Sequence, residues 1–395
     1  MVLKKYDMGL ISVTAMGIGS VVGAGIFALL GEVILQAGNL SYYAFIIAGI
    51  AAMFSGYSYA KLSGKYPDSD GLTDYFKIAF KSRAVSGTFT LIYYITSFVS
   101  ISMLAKSFGI YACKFLHDAA MEPICVNYFA SGIIIALAIL NMMGADKVGN
   151  AETLMVAFKF FVLLSLIAGA FIELDVRSDK VDFMPTPIAF LGSIGITFFA
   201  YAGYGIITNA AADVKNPKFT IAAAIYLTII IVALLYTSLA YIILKYIPEA
   251  DLTANADTAI TIAAEKLFGK WGYGIMFAAA IIAFISGISA TYFSVFRISY
   301  ALAEQKIMPK IYHKRFWEHG TYGNALSVAV LTLATIYFDF NSIVNLASGA
   351  YLVSYLAVFA ASWVLRRETG ASPVLILLGS ALMVFILVMF LANIY

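Results

Sequence analysis

Lys159 sits in the apolar run AETLMVAFKFFVLLSLIAG, Ala151 to Gly169, about eight residues from its nearer end. On an α-helix that is roughly 12 Å from the end. An ionisable side chain at such depth in an apolar segment is by default a functional group. The plainer alternative is an ammonium that snorkels part of the way to the lipid headgroups. No carboxylate stands near mid-span to pair with it: Glu32, Glu152 and Asp213 all fall near the ends of their segments. A charged Lys159 facing the interior must therefore rest on neutral oxygens. Burial favours the free amine and those oxygens favour the ammonium. An amine held between the two can exchange its proton as water access changes.

Two glycine-rich stretches would supply such oxygens. The first is GIGSVVGAGIFALLGE, Gly17 to Glu32, with Gly-Ala-Gly at 23–25 near the middle of an apolar segment. The second is FFAYAGYGIITNAAADVKNP, Phe198 to Pro217, with Gly203 and Gly205 near its middle and Thr208 and Asn209 following. Glycine weakens a helix interior by about 1 kcal/mol relative to alanine. In hydrocarbon every freed N–H or C=O needs a partner. Irregular backbone at that depth implies a buried site or a water-filled cavity, whereas small residues also make helix-packing faces. A broken helix presents positive dipole from one half and bare carbonyls from the other. That pairing suits a molecule carrying both a carboxylate and an amine. Two interruptions in matching positions favour the binding site over simple packing.

The elements that position these residues are transmembrane helices. The chain has 395 residues, is 62% hydrophobic and 12% charged, and has a mean hydropathy of +0.90. Apolar runs of about 20 residues recur, as expected of an all-α polytopic membrane protein folded as one bundle. Eleven spans are expected: Gly9–Leu35, Ser41–Leu62, Ala84–Leu116, Val126–Met142, Ala151–Ile172, Pro187–Ala212, Ile221–Tyr246, Trp271–Ala303, Gly323–Phe338, Ile343–Leu365 and Pro373–Ile394. Leu252 to Phe268 is too polar to span and reads as a short external helix over the bundle. Of the 25 lysines and arginines, sixteen fall in loops on the side of the N-terminus and six on the other. The positive-inside rule then places the N-terminus in the cytoplasm and Tyr395 outside. The first and sixth spans are interrupted, and the third and eighth are the long ones. Spans one to five, 9–172, and six to ten, 187–365, thus look like inverted repeats, with 373–394 as an extra helix.

GAGIF at 23–27, the pattern from Phe199 through Asn216-Pro217, and RISYALAEQKIMP at 297–309 resemble the amino acid–polyamine–organocation transporter superfamily. The resemblance covers Met8 to about Arg367. YxGxGxITNA at Tyr201 to Ala210 is most similar to the ApcT-like, proton-coupled branch. Two departures stand out: Gly205 where many members carry glutamate, and eleven spans where many have twelve. The resemblance implies a LeuT-type five-plus-five fold. It implies that a substrate carboxylate rests on N–H groups around Gly23, Ala24, Gly25 and Ile26. The amine would meet carbonyls near Val21, Phe199 and Ala202, beside Gly203 and Gly205. Phe199 would be an aromatic lid on the outer side. In sodium-coupled relatives a sodium ion ties the first span to the eighth; here Lys159 would take that place. Its partners would be the Gly19 and Val22 carbonyls and the Ser286 hydroxyl, with Ser289 a weaker candidate.

The expectation is a secondary transporter of amino acids, proton-coupled and working by alternating access in the cell membrane. The absence of a mid-depth carboxylate favours neutral substrates, and glycine at 205 leaves room for a larger side chain. The rivals are an obligate exchanger, a sodium symporter, and, from another class, a channel or non-transporting sensor. No nucleotide-binding loop, metal-ligand cluster or basic nucleic-acid patch is seen, so neither an enzyme nor a pump driven by ATP is expected, and no cofactor beyond the coupling proton. The first apolar run leads straight into the glycine motif without a signal-peptide cleavage pattern. A monomer or homodimer without a partner chain is expected. Cys113 and Cys125 flank an external turn; a disulfide is one reading, two separate small apolar residues the plainer one. Lys106 is expected to snorkel outward, Arg297 to meet inner acids or anionic lipid, and His117, His313 and His319 to lie in loops.

Overall fold

The computed structural model describes residues 8–22, 25–67, 71–116, 123–143, 148–172, 183–317 and 320–394. The regular structure among them is helical. In chain order the helices are α1 (Leu10–Val21), α2 (Gly25–Ala37), α3 (Ser41–Lys65), α4 (Leu72–Ala79), α5 (Arg83–Leu116), α6 (Pro123–Met142), α7 (Val148–Ile172) and α8 (Pro187–Ala200). A 3-10 helix, Tyr204–Asp213, follows, and then α9 (Pro217–Tyr246) and α10 (Glu249–Asn255). A short 3-10 turn, Ala256–Thr258, leads into α11 (Ala259–Glu304), then α12 (Tyr322–Tyr337), α13 (Phe340–Val364), α14 (Arg366–Thr369) and α15 (Pro373–Ile394).

Among the described residues nine helical stretches are long and apolar enough to cross a membrane, and α1 and α12 are shorter apolar helices. The expected first span is delivered in two pieces, α1 and α2, and the second piece runs with α3 into one apolar stretch, Gly25–Lys65. Helix α5 has 34 residues, about 50 Å at the α-helical rise, and must tilt or project beyond the hydrocarbon. Helix α11 is bent at Gly269, whose φ of +63° and ψ of −155° only glycine adopts readily. The bend separates Ala259–Phe268, which continues from α10 over the end of the bundle, from the crossing part that follows.

Local chemistry explains the helix starts. Pro187 and Pro217 open α8 and α9, where a missing N–H costs nothing. Thr186, Thr321 and Asp339 accept hydrogen bonds from N–H groups in the first turns of α8, α12 and α13. Hydroxyls within the helices turn back onto carbonyls four residues earlier, as at Thr90, Thr96, Thr197 and Thr335. Polar groups in an apolar setting are satisfied this way. Others cross between helices: Ser102 Oγ meets Thr335 Oγ1 at 2.6 Å, and Thr96 Oγ1 meets Ser354 Oγ at 3.1 Å. They fix α5 against α12 and α13.

The bundle has two distinct ends. Gly64 packs on the backbone of Lys218, and Tyr66 Oη donates to Glu368 at 2.6 Å. These contacts gather the end of α3, the start of α9 and the short helix α14 into a face rich in lysine and arginine, called here the basic face. At the opposite face Gly31 abuts Ala256, Gly169 abuts Phe268, and Asn393 donates to Gln36.

One expectation is corrected. Cys113 and Cys125 form a disulfide across 12 residues, tying the last turn of α5 to the first of α6. The turn between the two helices brings the cysteines face to face, with Cα atoms 5.9 Å apart. Lys106, 6% exposed, extends along α5 toward the end that carries the disulfide, donating to Asn127 Oδ1 of α6 at 2.5 Å within electrostatic reach of Asp339 at the start of α13.

Candidate functional site

The two interruptions face one another. Helix α1 ends at Val21, with the Val22 N–H closing on the Ile18 carbonyl at 2.7 Å. Helix α8 ends at Ala200, and the Tyr201 and Ala202 N–H groups close a tight turn on the Phe198 and Phe199 carbonyls. Gly203 follows with φ +122°. A Cβ there would sit 2.8 Å from Ser20 Oγ, so only glycine fits both the dihedral and the contact. Ser20 Oγ donates to the Gly203 carbonyl at 3.2 Å, joining the end of α1 to the break after α8. On the other side Gly25, at the start of α2, lies against the backbone of Ala200: a Cβ would be 3.2 Å from its Cα.

Tyr236 of α9 completes the junction. Its hydroxyl lies 2.9 Å from the Val21 carbonyl and 3.3 Å from the Ala200 carbonyl. One phenolic O–H thus serves the last residue of both broken helices. Each carbonyl oxygen has two lone pairs, so an incoming ammonium still finds an acceptor there. Tyr201 donates to the Phe45 carbonyl at 2.9 Å, and Tyr204 pairs with Ser55. These bonds fasten the second break to α3.

Beyond Gly203 the chain runs as a 3-10 helix for ten residues, much longer than the three or four usual for this form. Thr208 Oγ1 donates to the Gly205 carbonyl at 2.7 Å, the i−3 spacing of that helix. A Cβ at Gly205 would come within 3.1 Å of the Tyr59 ring. The room expected at Gly205 is therefore filled by Tyr59, which also meets Tyr204 and Tyr355 edge to face.

A cavity of about 900 Å³ begins at this junction and runs to the basic face. Of the residues expected at the substrate site, Val21, Gly25, Phe199, Ala202, Gly203 and Gly205 line it, together with Gly19 and Ser286, which were expected beside Lys159. Val22 and Ile26 are buried residues outside the cavity wall, and the roles expected of them fall to their backbone groups. Gly23 and Ala24 lie outside the described residues. Phe199 stands at the closed end with its ring 4.9 Å from that of Tyr351. The charged lining residues, Asp74, Lys77, Asp213, Arg297, Glu304 and Arg315, belong to the basic-face ends of their elements. Lys77 and Asp74 pair at 2.7 Å, and Arg297 lies over the Phe293 ring.

Lys159 is 1% exposed, in the core of the bundle and not in the cavity wall. Three residues before it on the same side of α7, Val156 packs into the notch at Gly19 of α1. A Cβ at Gly19 would lie 2.5 Å from Val156 Cγ2. Helix α7 also packs along α11, which carries Ser286. The lysine is thus on a helix wedged between the first interrupted span and α11. Ser289 is engaged elsewhere: its hydroxyl accepts from Asn141 Nδ2 at 3.1 Å.

Sequence reasoning missed Tyr236, Ser20 and Tyr59. Ser20 lay inside the glycine motif, and its position one residue before Val21 was a usable signal. Tyr236 and Tyr59 carry no local signature in a chain with 26 tyrosines.

Among known proteins, the family described as amino acid permease matches residues 8–395. The chain is 37% identical over 388 residues to the inner membrane transport protein YbaT of Escherichia coli, covering 98% of this chain and 90% of that one. It is 23% identical over 335 residues to the branched-chain amino acid permease BcaP of Bacillus subtilis, covering 80% and 71%. A methylthioribose transporter of Bacillus subtilis is 23% identical over 385 residues, covering 93% and 81%.

Proposed function

The chain belongs to the amino acid permease family of the amino acid–polyamine–organocation superfamily, and from that premise we propose that it is a proton-coupled symporter of neutral amino acids. The observation that carries the reading is the junction of Ser20 with Gly203 at the closed end of a cavity open to the basic face. Two helix ends brought together there offer carbonyls for an ammonium. The start of α2 offers N–H groups for a carboxylate. The charged side chains of the described cavity wall stay at its mouth, which supports an uncharged substrate side chain.

The distribution of lysine and arginine supports a cytoplasmic basic face, making this the inward-open form. Alternating access then requires the opposite end to open and the mouth to close. The likeness of the two interrupted spans supports a five-plus-five inverted repeat as the frame for that motion. Protonated Lys159 braces α1 against α11 through α7, and loss of its proton loosens the brace. The neutral α-amino acid is held by backbone groups, so the side-chain selectivity comes from the cavity wall near Phe199 and Tyr351.

The reading is tested by uptake into sodium-free proteoliposomes across a panel of radiolabelled amino acids, with an imposed inward proton gradient. Saturable accumulation of neutral amino acids that collapses with a protonophore is expected. Uptake that needs sodium and ignores the gradient contradicts it. An exchanger would instead need amino acid preloaded inside.

A further inference from the structure

At the face opposite the basic one, an elbow made of α10 and the 3-10 turn Ala256–Thr258 covers α2, the helix whose first residue, Gly25, lines the cavity. The elbow lies backbone to backbone on α2: a Cβ at Gly31 would overlap the Ala256 carbonyl. The last turns of α5 hold both partners. Tyr111 Oη donates to the Phe27 carbonyl of α2 at 3.2 Å and receives Thr261 Oγ1 of α11 at 3.5 Å. One turn further on, Lys114 Nζ donates to Asn255 Oδ1 at 3.0 Å and to Thr258 Oγ1 at 2.8 Å. The ammonium therefore straddles the elbow, gripping it on both sides of Asp257. Asp257 is within electrostatic reach of Lys114 and of Glu32 on α2. The residue before Lys114 is disulfide-bonded to α6, so the grip is mounted on a cross-linked frame.

We propose that Lys114 is a positioning residue, a clasp that keeps the elbow on α2 and so sets how often the cavity opens at the face opposite the basic one. The proposal rests on the alternating-access reading above. Opening at that face has to lift the elbow from Gly31, and lifting it parts Lys114 from Asn255 and Thr258. Hydrogen bonds from a charged donor are the stronger ones. A ligand or bond present in only one of two states biases their populations by its difference between them. The same ammonium offsets the two carboxylates, Glu32 and Asp257, that closure brings under one cover. Removing it weakens the closed state on both counts and leaves the junction at Ser20 and Gly203 untouched.

The test uses a thiol reporter. Both cysteines of the sequence are in the disulfide, so Ala290→Cys in the cavity wall gives one free thiol. Membrane vesicles of known sidedness are treated with a membrane-impermeant maleimide from one face or the other. Adding Lys114→Met, which keeps the apolar stem, is expected to raise labelling from the face opposite the basic one roughly fivefold or more. Labelling from the basic face falls in step, and Lys114→Arg restores the parent ratio. An unchanged ratio overturns the proposal, as does faster labelling from both faces, which is a loosened fold. If Lys114→Met is not produced, Asn255→Ala combined with Thr258→Val removes its partners, and the same shift is expected. Uptake by the parent with an unchanged ratio in the variant defeats the clasp alone. A parent that is never labelled from the opposite face, with or without amino acid, defeats the alternating-access reading as well.

Discussion

Ser20 donates its hydroxyl hydrogen to the carbonyl of Gly203 across 183 residues of sequence, at 3.2 Å. That bond joins the end of α1 to the break after α8. The Gly203 carbonyl already accepts from the Ile206 N–H at 3.0 Å, and Ser20 fills its second lone pair, so the bond ties the two breaks together. The site follows from mutual need: each break places backbone groups where the other can use them, and a cavity opens beside them.

Gly203→Ala tests whether the junction tolerates a side chain. The substitution places a Cβ 2.8 Å from Ser20 Oγ at φ +122°. Strain of roughly 1–3 kcal/mol is expected for such a backbone. Uptake should fall to background while the protein remains folded with a lower thermal midpoint, read by fluorescence-detected unfolding in detergent. Full uptake by the variant would mean that the break is not where substrate is held.

Tyr236→Phe removes the O–H that lies against the Val21 and Ala200 carbonyls. A neutral hydrogen bond is worth about 1 kcal/mol. The helix ends then lose a fixed spacing, and the apparent KM for uptake is expected to rise roughly fivefold, with a smaller change in maximal rate. The converse, a lower maximal rate at constant KM, would assign Tyr236 to the conformational step instead.

The elbow carries a pH dependence with a definite sign. Burial pushes the Asp257 carboxyl above its ordinary range, and Lys114 opposes the shift. The groups facing it are Glu32 from α2, Lys114 and Tyr111 from α5, and, through Tyr111, Tyr273 of α11. Closure thus favours the protonated acid. Below the usual carboxylate range both forms are protonated and closure is unaffected by pH. As pH rises through the raised value, closure weakens, and it levels off above it. Labelling of Ala290→Cys from the face opposite the basic one should increase over that window. Asp257→Asn should lessen the dependence, with Glu32 left facing the elbow, and an unchanged profile would place the titrating group elsewhere.

The disulfide predicts a stability effect. Cys113→Ser with Cys125→Ser opens a loop of 12 residues, and closures of that size are worth about 2–4 kcal/mol. A lower thermal midpoint is expected, together with more labelling of Ala290→Cys from the face opposite the basic one, because Lys114 is carried on the same turn. Reducing agent acting on the parent should reproduce the shift.

Much of this architecture was legible because glycine and proline mark backbone conformation directly. Gly-Ala-Gly at 23–25 and the pair Gly203 and Gly205 announced the interruptions, and the polar run before Trp271 announced the elbow. The residues that complete the site were not legible. Tyr236 acts through a hydroxyl aimed from another helix, which no spacing along the chain encodes. The ten-residue 3-10 segment has an ordinary composition, and its form follows from packing against α1, α3 and α9. The two cysteines read as separate because only a helical turn-round brings them together. Gly205 read as empty space because the Tyr59 ring comes from a different helix.

The proposed role of Lys159, a proton-responsive brace between α1 and α11, is tested most directly by comparing the parent with Lys159→Ala in sodium-free proteoliposomes, measuring net uptake driven by a proton gradient and counterflow without one. Lys159→Ala is expected to lose the gradient-driven accumulation and keep counterflow, since the junction at Ser20 and Gly203 is intact. Accumulation that still follows the pH gradient at the parent's level would contradict the account.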